Sequence, residues 1–352
     1  MPKDDSSELI EVASPAPRRV WEAVLSDDEF ALPEHSPRWM DAMVTHGYRD
    51  VSRAYRFADD STYLVPLVRK SGFIGAAQSA SSFPRGWGIG GLVGPHASAA
   101  KRQAILRDLE GLGSRQLNIR PDPASWAKWE LPAHEANATL VPMRAHVIDL
   151  DGGADEVWMR MAKSARRGTR LAERAGVQIR SGNDPLLIEE FHRLHARSVE
   201  RWAEHRRQPL PVARALANFR DPKSKLAAIA QRLGDDFAVT VAYFQGNAVF
   251  ATVTTYGATA HDIRSAMDRE LIGKSNAGDL VQWFTLKEAC ERGCRLYHLG
   301  ESGNSANLSL TKEKYGAQPY EYAEMRLEKL PWTKWDRTAR SVVKRILGTV
   351  DD

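Results

Sequence analysis

Two lysines, Lys312 and Lys314, stand two apart just ahead of a Tyr315-Gly316 turn, and the run Gly300-Glu301-Ser302-Gly303-Asn304 precedes them. Loops this rich in glycine, serine and asparagine let backbone N–H groups come close to a ligand. Lysines at this spacing can meet a phosphate or a developing oxyanion. Two cysteines, Cys290 and Cys294, lie four apart, but no further Cys or His completes a metal set, so no metal is expected.

The chain that must position these groups has 352 residues, enough for two domains. Its 43% hydrophobic and 27% charged content is that of a folded globular protein. The net charge of +4, 49 basic against 45 acidic residues, is mild but uneven. Between Arg160 and Arg207 twelve Lys/Arg face six Asp/Glu, and the stretch from Arg326 to Arg345 is basic too. Such surfaces suit a polyanionic partner, a phosphate-bearing cosubstrate or an acidic membrane; solvated helix faces have the same composition. The first residues, Met1-Pro2-Lys3-Asp4-Asp5, form no apolar segment, and no apolar run reaches the roughly 18 residues of a membrane span. The expected location is cytoplasmic, with both thiols reduced.

Residues 1–18 read as a flexible lead-in. Residues 19–150 read as a first domain, with a helix near 39–46, a hairpin of strands 51–57 and 62–68, a glycine-dense turn at 81–94, a helix over 99–112 and a strand at 116–120. A strand at 144–151 leads into a second domain, 151–330. Helical periodicity covers 154–176, with Val157, Met161, Leu171 and Ala175 as its buried stripe, then 185–204 and 223–233. Strands follow at 237–244, 248–256 and 260–266, the first two joined by Gln245-Gly246-Asn247. A helix over 277–292 is closed by Gly293, and strands at 296–299 and 320–329 complete the domain. Residues 331–352 hold a basic amphipathic helix. Helices, a β-meander, a helix, a strand, a loop and a last strand is the order of a GNAT-type acyltransferase domain. The expected class is α/β (α+β): two GNAT-like domains in tandem, the first degenerate, with mixed sheets flanked by helices.

Several blocks resemble the FemAB-like acyltransferases, a tandem GNAT-fold family. His35-Ser36-Pro37-Arg38-Trp39 resembles its N-terminal block, Val65-Pro66-Leu67-Val68 a following strand, and Ser82-Phe83-Pro84 to Gly90-Gly91 its glycine loop. Trp158 with Lys163, Arg166 and Arg167, ending at Ala175-Gly176-Val177, resembles its basic helix, and Phe191–Arg201 the next one. The 300–316 stretch resembles the family's closing motif. The similarity spans most of residues 30–328. His298 stands where the family usually has aspartate, and Thr311 where an aromatic often precedes the lysine.

The resemblance implies transfer of an amino acid from aminoacyl-tRNA to the amine of a small molecule or cell-wall precursor, with no tightly bound cofactor. It makes Lys312 the leading catalytic candidate, placing positive charge at the oxyanion. Glu301, His298, Asn304 and Asn307 become candidates for a base or orienting group. Arg201, with His205 one turn on, and Arg38 are acceptor contacts; Arg85 and Trp87 either line the site or form a structural turn. Lys163, Arg166, Arg167 and Lys314 are phosphate or tRNA contacts. Lys274, Ser275 and Gly278 faintly echo the loop by which ordinary GNAT enzymes hold coenzyme A. Acyl-CoA is therefore the alternative donor, and a non-catalytic GNAT-fold binding or scaffold protein is the reading from another class.

Overall fold

The computed structural model describes residues 7–71, 79–84, 86–303, 305–330 and 333. These fall into two compact units: the chain through Arg144 together with the stretch from Tyr320, and Ala145–Pro319. Arg85, Asn304 and the C-terminal basic helix lie outside the described residues.

In the first unit, residues 9–13 correct the expectation of a loose lead-in: they form strand β1 (Leu9–Ala13). Helices α1 (Arg18–Ser26) and α2 (Pro37–Val44) follow. Ser36 caps α2 by accepting the Trp39 amide, and Pro37 at the first position gives up no hydrogen bond there. Strands β2 (Tyr48–Asp50), β3 (Arg53–Phe57), β4 (Thr62–Val65), β5 (Val68–Lys70) and β6 (Ser79–Ser81) lead to α3 (Ala99–Gly111), β7 (Gln116–Ile119) and α4 (Glu130–Glu135). β1, β3 and β4 make a small antiparallel sheet. β2, β5, β6, β7 and the last strand among the described residues, Gln318–Glu328, lie side by side, with β6 and β7 parallel. Tyr55, Phe57, Tyr63, Leu106, Leu117 and Met325 are buried in its core.

The second unit begins within β8 (Thr139–Asp149). The helix expected over 154–176 is two, α5 (Gly153–Arg160) and α6 (Lys163–Arg174), because Met161 and Ala162 take extended conformations between them. The buried side of α6 is Ala165, Gly168, Thr169 and Ala172; Ala175 is exposed and Leu171 only half-buried. Small residues mark a close helix contact that an apolar stripe of large side chains does not capture. Next come β9 (Gln178–Gly182), α7 (Pro185–His205), α8 (Leu210–Arg220) and α9 (Lys223–Leu233). The meander β10 (Phe237–Phe244), β11 (Asn247–Thr255) and β12 (Thr259–Met267) follows, then α10 (Arg269–Ser275), α11 (Ala277–Glu291), β13 (Leu296–Glu301) and α12 (Ala306–Glu313). β9, α8 and α10 were not anticipated.

Ala145–Asp149 of β8 is followed across the sheet by β13, β12, β11, β10 and β9, and only β12 and β13 run parallel. Their pairing lasts three positions, Thr259 with Leu296, Ala260 with Tyr297 and His261 with His298. Beyond His261, β12 continues beside β11, while β13 shifts register against β8 between His298 and Glu301. The two parallel strands therefore part at the paired histidines. Among the described residues no helix is long and apolar enough to cross a membrane.

Candidate active site

Polar and titratable groups gather where β12 and β13 part. Gly300 takes a left-handed φ of 71°, and its amide donates to Nδ1 of His298 at 3.0 Å. With Nδ1 accepting, the neutral ring carries its proton on Nε2. Burial, reinforced by the nearby His261, Lys312 and His146, holds His298 well below the usual histidine pKa, so the ring stays neutral. It meets the His261 ring edge to face at 4.8 Å. Neither His298 Nε2 nor the buried Ser302 Oγ has a hydrogen-bond partner among the described residues. Buried polar atoms are normally paired, so His298 Nε2 and Ser302 Oγ each have capacity left for a ligand's polar atom.

Lys312 projects from α12 into this region and donates to the Glu301 carbonyl at 2.7 Å. Burial pulls its ammonium down to about 8, while Asp262 and Glu301 pull the other way. Asp262 is itself buried and its carboxyl is raised by that burial. The Thr252 hydroxyl, which donates to it at 2.5 Å, and the nearby Lys312 and His261 counter the rise. His146 on β8 shares a 2.9 Å hydrogen bond with Ser309 of α12, whose hydroxyl donates to Glu313 at 2.7 Å. These histidines form no metal-ligand group among the described residues.

Of the residues singled out from the sequence, Lys312, Glu301 and His298 come together here, and Asn307 is exposed on the same helix as Lys312. Asp262, His261, His146 and Ser309 were missed. For His261 and Asp262 the signal was adjacency: a His-Asp pair in a strand of the meander needs polar partners if it is buried. Arg201 is half-buried on α7 and donates to the Met267 carbonyl at 3.4 Å, with burial and the neighbouring Arg269 lowering its pKa. His205 is exposed at the end of that helix. In the first unit Arg38 is exposed on α2. Trp87 is buried there, its carbonyl taking the Trp39 indole N–H at 2.9 Å, as in a structural turn.

The start of α11 is filled. Ser275 is buried, donates to the Ile272 carbonyl and accepts the Ala277 amide. Gly278 packs on Ile272 and Phe250, and Lys274 is exposed. The Asp279 carboxylate sits in the first turn and takes the Lys314 ammonium and the Tyr315 hydroxyl, each at 2.7 Å. Helix α6 closes over it: a Cβ on Gly168 would lie 1.9 Å from an Asp279 carboxylate oxygen. Lys314, expected at a phosphate, is thus held by an internal carboxylate.

Helix α6 turns its other side outward. Lys163, Arg167, Arg170 and Arg174 recur at helical spacing, all exposed, and none is within ion-pair distance of a carboxylate among the described residues. Arg166, half-buried, reaches the Met159 sulfur instead. Arg170 lies 5.5 Å over Trp158, which stands 4.6 Å from Trp283. The residue before α6, Ala162, donates its amide to the Lys314 carbonyl at 2.8 Å, tying this cationic helix to the end of the helix that carries Lys312.

A parallel strand pair thus parts over a buried polar cluster, with helices packed on the sheet. Residues 159–320 match the family model described as an acetyltransferase (GNAT) domain. That stretch is a GNAT-family acyltransferase domain, and the fold of the chain is of the FemAB-like tandem GNAT kind. FemX superposes with a TM-score of 0.63 at 12% identity, over 93% of this chain and 99% of that one. A conserved protein of unknown function from Bacteroides thetaiotaomicron gives 0.53 at 9% identity, over 90% and 98%. L-PGS from Bacillus licheniformis gives 0.50 at 11% identity, over 96% and 99%. No curated protein matches the sequence.

Proposed function

We propose that this GNAT-family acyltransferase forms amides from aminoacyl-tRNA, with Lys312 supplying positive charge to the tetrahedral oxyanion. The new C–N bond forms between the acceptor amine and the aminoacyl carbonyl as the ester C–O bond to the terminal ribose breaks. The proton lost by the amine ends on the released ribose hydroxyl. Lys312, the Nε2–H of His298 and the Ser302 hydroxyl are three donors at one strand end, the kind of group that stabilises charge developing on a carbonyl oxygen. Asp262 keeps Lys312 charged despite its burial. Arg201, beside Arg269, suits a carboxylate or phosphate on the acceptor.

The observation that carries the tRNA donor is the unneutralised stripe Lys163–Arg167–Arg170–Arg174 anchored to the Lys312 helix through Ala162 and Lys314. Phosphate contacts of this sort provide most nucleic-acid affinity and make it salt-dependent. An acyl-CoA donor is disfavoured because the first turn of α11 already holds its own carboxylate under α6. Binding of charged tRNA at several salt concentrations tests the reading. Arg167→Ser/Arg170→Ser should weaken binding and flatten the log–log salt slope by about 2. An unchanged slope would mean that α6 does not contact the tRNA.

A further inference from the structure

Helix α8 packs on α7 through small residues. Ala213 and Ala217 are buried with Val199 and Ala203, and Trp202 and Leu210 rest against them. Alanines close that contact, so the large side chains of α8 point elsewhere. Val212, Leu216 and Phe219 follow at i, i+4 and i+7 on one outward sector of the helix, 48%, 56% and 74% exposed. Ala215, also exposed, lies in the same sector, which holds no charged residue. Phe219 is the most exposed large apolar side chain among the described residues.

The flanks of this sector are cationic. Residues 204–220 carry exposed Arg206, Arg207, Arg214 and Arg220 against a single carboxylate, Glu204. Arg220, four residues on from Leu216 and paired with Asp221 at 2.9 Å, borders the apolar stripe, whereas Arg214 bridges to Glu200 at 2.5 Å on the side of the helix away from it.

We propose that α8 is a docking helix for an anionic lipid surface. Val212, Leu216 and Phe219 enter the boundary between headgroups and acyl chains, and the arginines meet lipid phosphates. A narrow apolar face rimmed by arginine is what an interfacial helix requires. A second copy of the chain fits worse: a two-fold contact through this stripe would set its arginines against their own copies. Three large side chains also bury far less than the roughly 800 Å² per partner of a stable dimer. The inference is independent of the donor and of the transfer chemistry.

Flotation of the full chain with phosphatidylcholine vesicles, with and without one third phosphatidylglycerol, tests it. The expected result is capture by the anionic vesicles only, weakened by added salt. Leu216→Gln/Phe219→Gln should bind at least about tenfold less well while keeping its circular dichroism melt. Arg207→Gln, which leaves the apolar stripe intact, should weaken capture by a smaller factor. Absence of capture, equal capture by neutral vesicles, or wild-type capture by the double variant would overturn the proposal. So would a wild-type dimer in sedimentation that the double variant dissociates, since the stripe would then belong to a second copy.

Discussion

The Asp279 carboxylate holds the Lys314 ammonium at 2.7 Å inside the first turn of α11. Helix starts favour anions, and here the anion is supplied by the chain itself. A pyrophosphate arriving at this turn would meet a like charge and the packed backbone of α6 at Gly168. Coenzyme A and acetyl-CoA at millimolar concentration are therefore expected to leave the melting temperature unchanged. A shift of several degrees, the size that saturating binding produces, would show that the turn opens to receive them.

Gly168 gives the same seam a stability readout. Gly168→Ala places a methyl group against Asp279 and is expected to destabilise the protein by about 1–3 kcal/mol in urea unfolding, despite the better helix propensity of alanine. A neutral or stabilising effect would mean that α6 and α11 separate easily.

Lys312→Ala should lower kcat by about 100- to 1,000-fold with a smaller change in KM, the pattern of a contact made chiefly in the transition state. Lys312→Arg should recover part of that loss, because it keeps the charge but not the reach to the Glu301 carbonyl. Full activity in Lys312→Ala would leave Lys312 a structural hydrogen-bond donor.

The pH profile follows from the same lysine. Its ammonium titrates near pH 8, so the charged form is lost as pH rises through that value, and activity should fall along an alkaline limb there. Asp262→Asn removes a negative neighbour, disfavours the charged ammonium further and should move the limb to lower pH. Lys312→Arg should move it upward. A limb that ignores both substitutions belongs to the acceptor amine rather than to Lys312.

Much of the second unit was legible because its elements are long and regular. The meander from Phe237 to Met267 follows its β-branched and apolar runs and its turn residues, and α11 closes just before Gly293, whose left-handed φ of 77° suits the position after a helix C-cap. α8 was hidden because its large apolar residues face outward, so its pattern contradicts its burial. The α6 stripe was misplaced because glycine, alanine and threonine form its contact face. At the site, Lys312, Glu301 and His298 lie close together in sequence and could be read as one motif. Asp262 and His261 come from the neighbouring strand, and only the parallel pairing of β12 with β13 brings them in. Non-local pairing of this kind leaves no periodic trace in a single sequence.

Beyond the site, Asp221 anchors a buried charge network. Burial pushes its carboxyl up, but Arg264, Lys225 and Arg220 together hold it well below the usual carboxylate range. Lys225 is only 2% exposed, so Asp221→Asn would leave a buried ammonium without that carboxylate. A loss of about 3–5 kcal/mol in denaturant unfolding is expected. A loss below about 1 kcal/mol would indicate that Lys225 gives up its proton or reaches water.

The donor separates an aminoacyl-tRNA-dependent enzyme from an acyl-CoA-dependent one. Purified protein offered radiolabelled aminoacyl-tRNA or radiolabelled acetyl-CoA, each with the same panel of amines, decides it. Labelled amide is expected from the charged tRNA, abolished by RNase treatment and by Lys312→Ala, and none from acetyl-CoA. Product from acetyl-CoA alone, or from neither donor, would contradict the tRNA donor.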